Sequence, residues 1–150
     1  MEIIQLPAMY FFGRSFTCDF EGMLQHVRVL PRELFAQSQQ LGLEIAGVMQ
    51  WHYVDFNPQP GALFQLRIGF PVVAKKEVPS PYEIIELPSF KCAAALHLGA
   101  WDKFSNTYSQ LVDFVQENNL HFTGHNRECY MLCNFEQADN NITYIQIGVQ

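Results

Sequence analysis

Residues 2–7 read EIIQLP, and residues 83–88 read EIIELP. Five of the six positions are identical, at an offset of 81 residues (83 − 2). Self-similarity at a fixed spacing is the mark of a repeated unit. Six residues make a short match, so the flanks decide. Each copy is followed by a strand-like apolar run, AMYFFGRSF at 8–16 and SFKCAAALHL at 89–98, ending before a polar break. Each run then leads into an amphipathic helix pattern.

In the first half that pattern is Met23, Val27, Leu30, Leu34, Ser38 and Leu41. Spacings of three and four put these residues on one helical face. Pro31 interrupts the pattern, and Pro31-Arg32-Glu33 makes an acceptable first turn, so a break at Leu30 is expected. In the second half the pattern is Phe104, Tyr108, Leu111 and Val115. Asp102 or Ser105 is expected to cap it, and Asn118-Asn119 to end it.

Each helix leads to two strands, expected near 44–55 and 62–70, and near 127–134 and 142–149. LEIAGVMQWHYVDFN at 43–57 aligns with LHFTGHNRECYMLCN at 120–134, placing Gly47 over Gly124, Tyr53 over Tyr130 and Asn57 over Asn134. LRIGF and IQIGV also match, with Gly69 over Gly148. The expected fold is α+β: two pseudo-symmetric β-α-β-β repeats whose antiparallel sheets join around a shared core. Repeat one spans about 1–71 and repeat two about 82–150 of a single domain, with an exposed linker at 72–81 that carries the Lys75-Lys76 pair. The junction of two similar units is a natural ligand cleft.

Composition narrows the function. The 150 residues are 49% hydrophobic and only 16% charged, with a net charge of −6. Such a chain is too apolar for disorder, and its negative surface disfavours direct contact with nucleic acid. No apolar run approaches the roughly 20 residues of a membrane helix. Glu2 stands where a secretory signal would be basic, so a cytoplasmic location with reduced cysteines is expected. The outlier is 13 Phe, 6 Tyr and 2 Trp.

Glu128 stands in NRECYML, a segment otherwise reading as a buried strand. Alternation puts Glu128, Tyr130 and Leu132 on one face and Cys129, Met131 and Cys133 on the other. The repeat makes Trp51, Tyr53 and Asp55 their counterparts. If this face lines the cleft, a carboxylate sits among Trp51, Tyr53 and Tyr130. A buried lone carboxylate is costly, and a cationic ligand would relieve that cost. The plainer reading is a strand-end Glu128 paired with Arg127 or another base and exposed to water. Trp101, where a strand gives way to a helix, reads equally as a packing anchor or as a lid. Phe104 and Tyr108 read as ordinary core.

Other chemistries find little support. His121, His125, Cys129 and Cys133 recur every four residues and are of zinc-binding types. However, Asn119 and Gly124 interrupt a helix there. On a strand Cys129 and Cys133 lie roughly 13 Å apart, and no C-x2-C pair exists. No metal or other cofactor is expected. Nucleophile elbows and phosphate loops are also missing. Cys92 reads as core, and His52 and His97 read as structural residues that could neighbour Glu128.

LPSFKCAAALHLGAWDKFSNTYSQLVDFVQENNL, followed by RECYMLCN, resembles the GyrI-like small-molecule-binding domains. These also serve as effector-binding domains of multidrug-responsive regulators of the AraC and MerR types. The Leu-Pro before the strand, Gly99 and Trp101 at the helix start, and the Glu-x-Tyr of Glu128 and Tyr130 carry the resemblance, which covers essentially the whole chain. It implies a drug-binding cleft with Glu128 as the pocket glutamate and Tyr130 beside it. Trp51 and Tyr53 would line the opposite wall, with Phe12, Phe64 and Trp101 as further candidates. Nothing resembling a helix-turn-helix precedes residue 1, so the chain resembles the stand-alone modules of mobile gene cassettes.

The expectation is a binding module for lipophilic, cationic aromatic molecules. One rival is a GyrI-like hydrolase of small electrophiles, with Glu128 as general base and Tyr130 as proton donor or oxyanion partner. Another is a protein-interaction module acting on a separate partner, in the manner of family members that bind gyrase.

Overall fold

A computed structural model describes residues 1–150. The strands are β1 (Glu2–Leu6), β2 (Met9–Cys18), β3 (Gln50–Val54), β4 (Phe64–Val72), β5 (Glu83–Leu87), β6 (Phe90–Leu98), β7 (Phe122–Leu132) and β8 (Ile142–Val149). The helices are α1 (Phe20–Leu24), α2 (Leu30–Gln40) and α3 (Phe104–Glu117). All eight strands form one antiparallel sheet in the order β1-β6-β8-β7-β3-β4-β2-β5. Counted inward from the two edges, β1 mirrors β5, β6 mirrors β2, β8 mirrors β4, and β7 mirrors β3. The α+β fold with two pseudo-symmetric halves is therefore observed.

The first strand of each repeat pairs with the other half. β1 runs beside β6, with Glu2 opposite Ala94, and β5 runs beside β2, with Met9 opposite Leu87. Local chemistry explains this exchange. β1 and β2 are separated only by Pro7-Ala8, and β5 and β6 only by Pro88-Ser89. A two-residue hairpin needs a positive φ, and none of these four residues has one. The chain therefore passes on without folding back.

The helices form where the apolar stripes predict. Asp19 caps α1, its side chain accepting from Gly22 N at 2.8 Å. Pro31 lies in the first turn of α2 after a break over 25–29. The expected cap of α3 is not made. A 3-10 turn at Trp101–Lys103 runs straight into α3, so Asp102 lies in that turn, Ser105 lies inside the helix, and Lys103 occupies the cap position without a side-chain bond. Asn119, at φ 54°, follows the helix end.

The core is divided rather than shared. Phe12, Met23, Leu30, Leu34, Leu66 and Ile68 belong to one cluster beneath α1 and α2. Ala93, Leu111, Val115, Ile145 and Ile147 belong to another beneath α3. Each fully buried aliphatic chain contributes about 1.5–3 kcal/mol. The helices stand over their own halves of the sheet, so the seam between β3 and β7 is left open on the helix side. No helix is long and apolar enough to cross a membrane.

Candidate functional site

The seam sets the site. β3 and β7 pair with Trp51 opposite Glu128 and His52 opposite Arg127. Alternation sends Trp51, Tyr53, Glu128 and Tyr130 to the helix side, where they line a cavity of about 710 Å³. The walls come from both halves. Met23 and Val27 stand on one side; Trp101, Phe104 and Tyr108 stand on the other.

Glu128 forms the floor and is only 6% exposed. Its Oε1 accepts from Tyr108 Oη at 2.6 Å. Its Oε2 accepts from Tyr130 Oη at 2.6 Å and Tyr53 Oη at 2.8 Å. Burial raises its pKa above the ordinary carboxylate value, and the three phenol hydroxyls, with the charge of His97 after them, only partly oppose that rise. The same burial, with the glutamate charge alongside, holds all three phenols well above 10, so they stay protonated donors. Above this floor Tyr130 packs edge-on between Trp51, at 6.2 Å, and Trp101, at 5.5 Å between ring centroids.

The plainer reading of Glu128 does not hold. The carboxylate is buried, and Arg127, the next residue along the strand, points to the other face, with its guanidinium 3.9 Å over the Phe90 ring. Neither ion pair in the chain involves Glu128.

The five candidates Glu128, Tyr130, Trp51, Tyr53 and Trp101 surround one cavity. Phe12 and Phe64 do not line it. Phe12 is fully buried on β2, two strands from the seam, and stacks on Tyr82 at 5.8 Å. Phe64 lies one layer behind the wall, 4.9 Å from the lining ring of Phe56.

Sequence reasoning missed Tyr108 and Phe104, which the apolar stripe of α3 had assigned to the core. The stripe's first turn overhangs the cleft, whereas Leu111 and Val115 further on are wholly buried. The expected strand alternation also fails at one end. A register shift between Tyr130 and Leu132 turns Cys133, rather than Leu132, toward the cavity, as an extra residue in a strand does.

Neither His52 nor His97 hydrogen-bonds to Glu128. His97 Nε2 donates to the Ala100 carbonyl at 2.9 Å, and its Nδ1 is hydrogen-bonded with Thr107 Oγ1 at 2.7 Å. His52 lies on the face opposite Glu128, bonded to Gln50 Oε1 at 2.7 Å and stacked on Phe11 at 4.4 Å. No three His, Cys, Asp or Glu side chains converge as a metal site. A second hollow of about 720 Å³ opens on the far face of the sheet, beside Gln50, Cys129 and Tyr144, and no charged side chain lines it.

An eight-stranded, pseudo-symmetric sheet with a ring-lined cleft at its seam defines a small-molecule-binding domain. The chain belongs to the GyrI-like family: the model of the GyrI-like small molecule binding domain matches residues 1–150. A search of curated proteins returns no match. Among solved structures, the EcmrR C-terminal domain is similar, with a TM-score of 0.80 at 16% identity over 99% of this chain and 96% of that one. SAV2435 bound to tetraphenylphosphonium is similar with a TM-score of 0.66 at 15% identity, over 99% and 93%. So is a hydrolase encoded by lin2189 from Listeria innocua, with a TM-score of 0.66 at 14% identity, over 99% and 91%. At these identities the likeness is one of fold.

Proposed function

We propose that the cleft binds lipophilic aromatic cations, with Glu128 as their counter-charge, and that the chain works as a drug-binding or drug-sensing module. The observation that carries this is a buried carboxylate in no ion pair. Removing such a group from water costs several kcal/mol. Three phenol donors offset part of that cost, and a ligand cation would offset more. The ring faces of Trp51, Tyr53 and Tyr130 attract the same charge.

The hydrogen bonding narrows the cation further. Three of roughly four acceptor positions on the carboxylate are already taken. Glu128 therefore offers charge more than hydrogen bonds. That suits phosphonium, quaternary ammonium and delocalised dye cations, which bring no N–H donors and lose little hydration. The tetraphenylphosphonium bound by SAV2435 is a cation of this kind and supports the reading. The net charge of −6 favours a cationic ligand over direct contact with nucleic acid.

The test is a matched pair on the wild-type chain: methyltriphenylphosphonium against neutral triphenylphosphine oxide, followed by quenching of tryptophan fluorescence. The cation is expected to bind at least about fivefold tighter, the ratio for about 1 kcal/mol. Equal affinities would sink the proposal.

A further inference from the structure

A counter-charge at the floor leaves the rim of the cleft unexplained. Arg28 and Arg32 line its mouth, one from the turns after α1 and one from the first turn of α2. The chain has only five arginines and a net charge of −6. Arg14 and Arg67 are paired with Glu33 and Glu83, whereas neither Arg28 nor Arg32 has a carboxylate partner. Arg28 is held in place over the Phe135 ring at 4.5 Å, and Phe135 packs edge-on against Trp101 at 5.5 Å. Asp102 on the facing wall is the one acid at the rim, so two positive charges stand there against one negative. A rim of this sign repels a plain cation on its way to Glu128.

We infer that the preferred ligand is zwitterionic: an aromatic molecule with a cationic group for the floor and a carboxylate or sulfonate held at the mouth by Arg28 and Arg32. The inference rests on Glu128 as the counter-charge for the cationic end. Arginine suits the anionic end, because its planar fork matches a carboxylate in two hydrogen bonds. Two opposite poles also orient the ligand along the cleft, which a single buried charge cannot do. Both arginines are exposed, so salt screens them and their effect is modest.

The experiment uses one rhodamine in two forms, the free benzoic acid, zwitterionic at neutral pH, and its methyl ester, a plain cation. Each is titrated by fluorescence anisotropy against the wild-type chain, Arg28→Gln, Arg32→Gln and the double variant. The acid is expected to bind the wild type about three- to tenfold tighter than the ester, the scale of two exposed ion pairs. The double variant should lose that preference while still binding the ester at least as well as the wild type does. Added salt should erode the preference in the wild type. Ester binding equal to or tighter than acid binding in the wild type, or an acid preference that survives in the double variant, overturns the inference and leaves Glu128 as a cation site. Binding of neither form overturns both.

Discussion

Tyr108 Oη on α3 donates to Glu128 Oε1 on β7 at 2.6 Å, tying the helix of the second half to the central seam. Tyr53 on β3 reaches the other oxygen of the same carboxylate at 2.8 Å. One buried charge thus joins both halves of the pseudo-symmetric sheet. Tyr108→Phe keeps the ring and removes the donor. It should cost about 1.5–3 kcal/mol in urea unfolding, the scale of a hydrogen bond to a charged group. It should also move the Glu128 carboxyl titration, followed by carbon NMR, to higher pH. An unchanged titration would mean that the bond does not hold the charge.

The raised pKa of Glu128 carries a definite sign. The folded chain binds this proton more tightly than the unfolded chain, whose ordinary value is 4.5. Glu128 therefore favours folding most below that value, and the contribution is lost as pH rises from about 4.5 through the folded value. The proposed cation binding runs the other way: it would need the ionised carboxylate and should strengthen with pH over the same window. Glu128→Gln should flatten both profiles. The check is urea unfolding and phosphonium titration at matched pH values. A wild-type stability that rises relative to the variant across that window would contradict the assigned shift.

Much of this arrangement is legible in the sequence, for reasons particular to its residues. EIIQLP and EIIELP reveal the repeat, and the period of two in β3 and β7 places Trp51, Tyr53, Glu128 and Tyr130 on one face. What the repeat cannot specify is which half each first strand joins, because an edge strand such as Glu83–Leu87 carries no label for its partner. Tyr108 was hidden by a helical stripe that continues smoothly from cleft into core. Phe12 and Phe64 are aromatic like the lining residues, and only the strand order separates them from it. The turn of Cys133 into the cavity depends on a register shift that leaves no mark in alternating apolar residues.

Gly69 and Gly13 face each other across β4 and β2. A Cβ on Gly69 would overlap the Phe12 carbonyl oxygen, and one on Gly13 the Ile68 carbonyl oxygen. Both obstacles are backbone, so neither can move aside cheaply. Gly69→Ala should destabilise the chain by about 1–3 kcal/mol or more, as overpacking does. A thermal melt within 1 °C or so of the wild type would show that the strands separate more easily than this register implies.

Arg127 follows from the same alternation as Glu128 but with the opposite outcome. It is 6% exposed, lies over Phe90, and has no acid partner; its Nη1 makes no hydrogen bond. Arg127→Met removes a buried, unpaired charge from the far face. Stability should be unchanged or raised, and phosphonium affinity should stay within about twofold, a free-energy change near RT ln 2. A large loss of binding would mean that Arg127, not Glu128 alone, sets the charge of the seam.

The most direct measurement is calorimetric titration of methyltriphenylphosphonium into the wild type and into Glu128→Gln at neutral pH, with triphenylphosphine oxide as the neutral control. The variant should lose about 1–3 kcal/mol of cation affinity, or about five- to 150-fold, and bind the neutral control as the wild type does. Equal cation affinity in the two proteins would contradict the role given to Glu128.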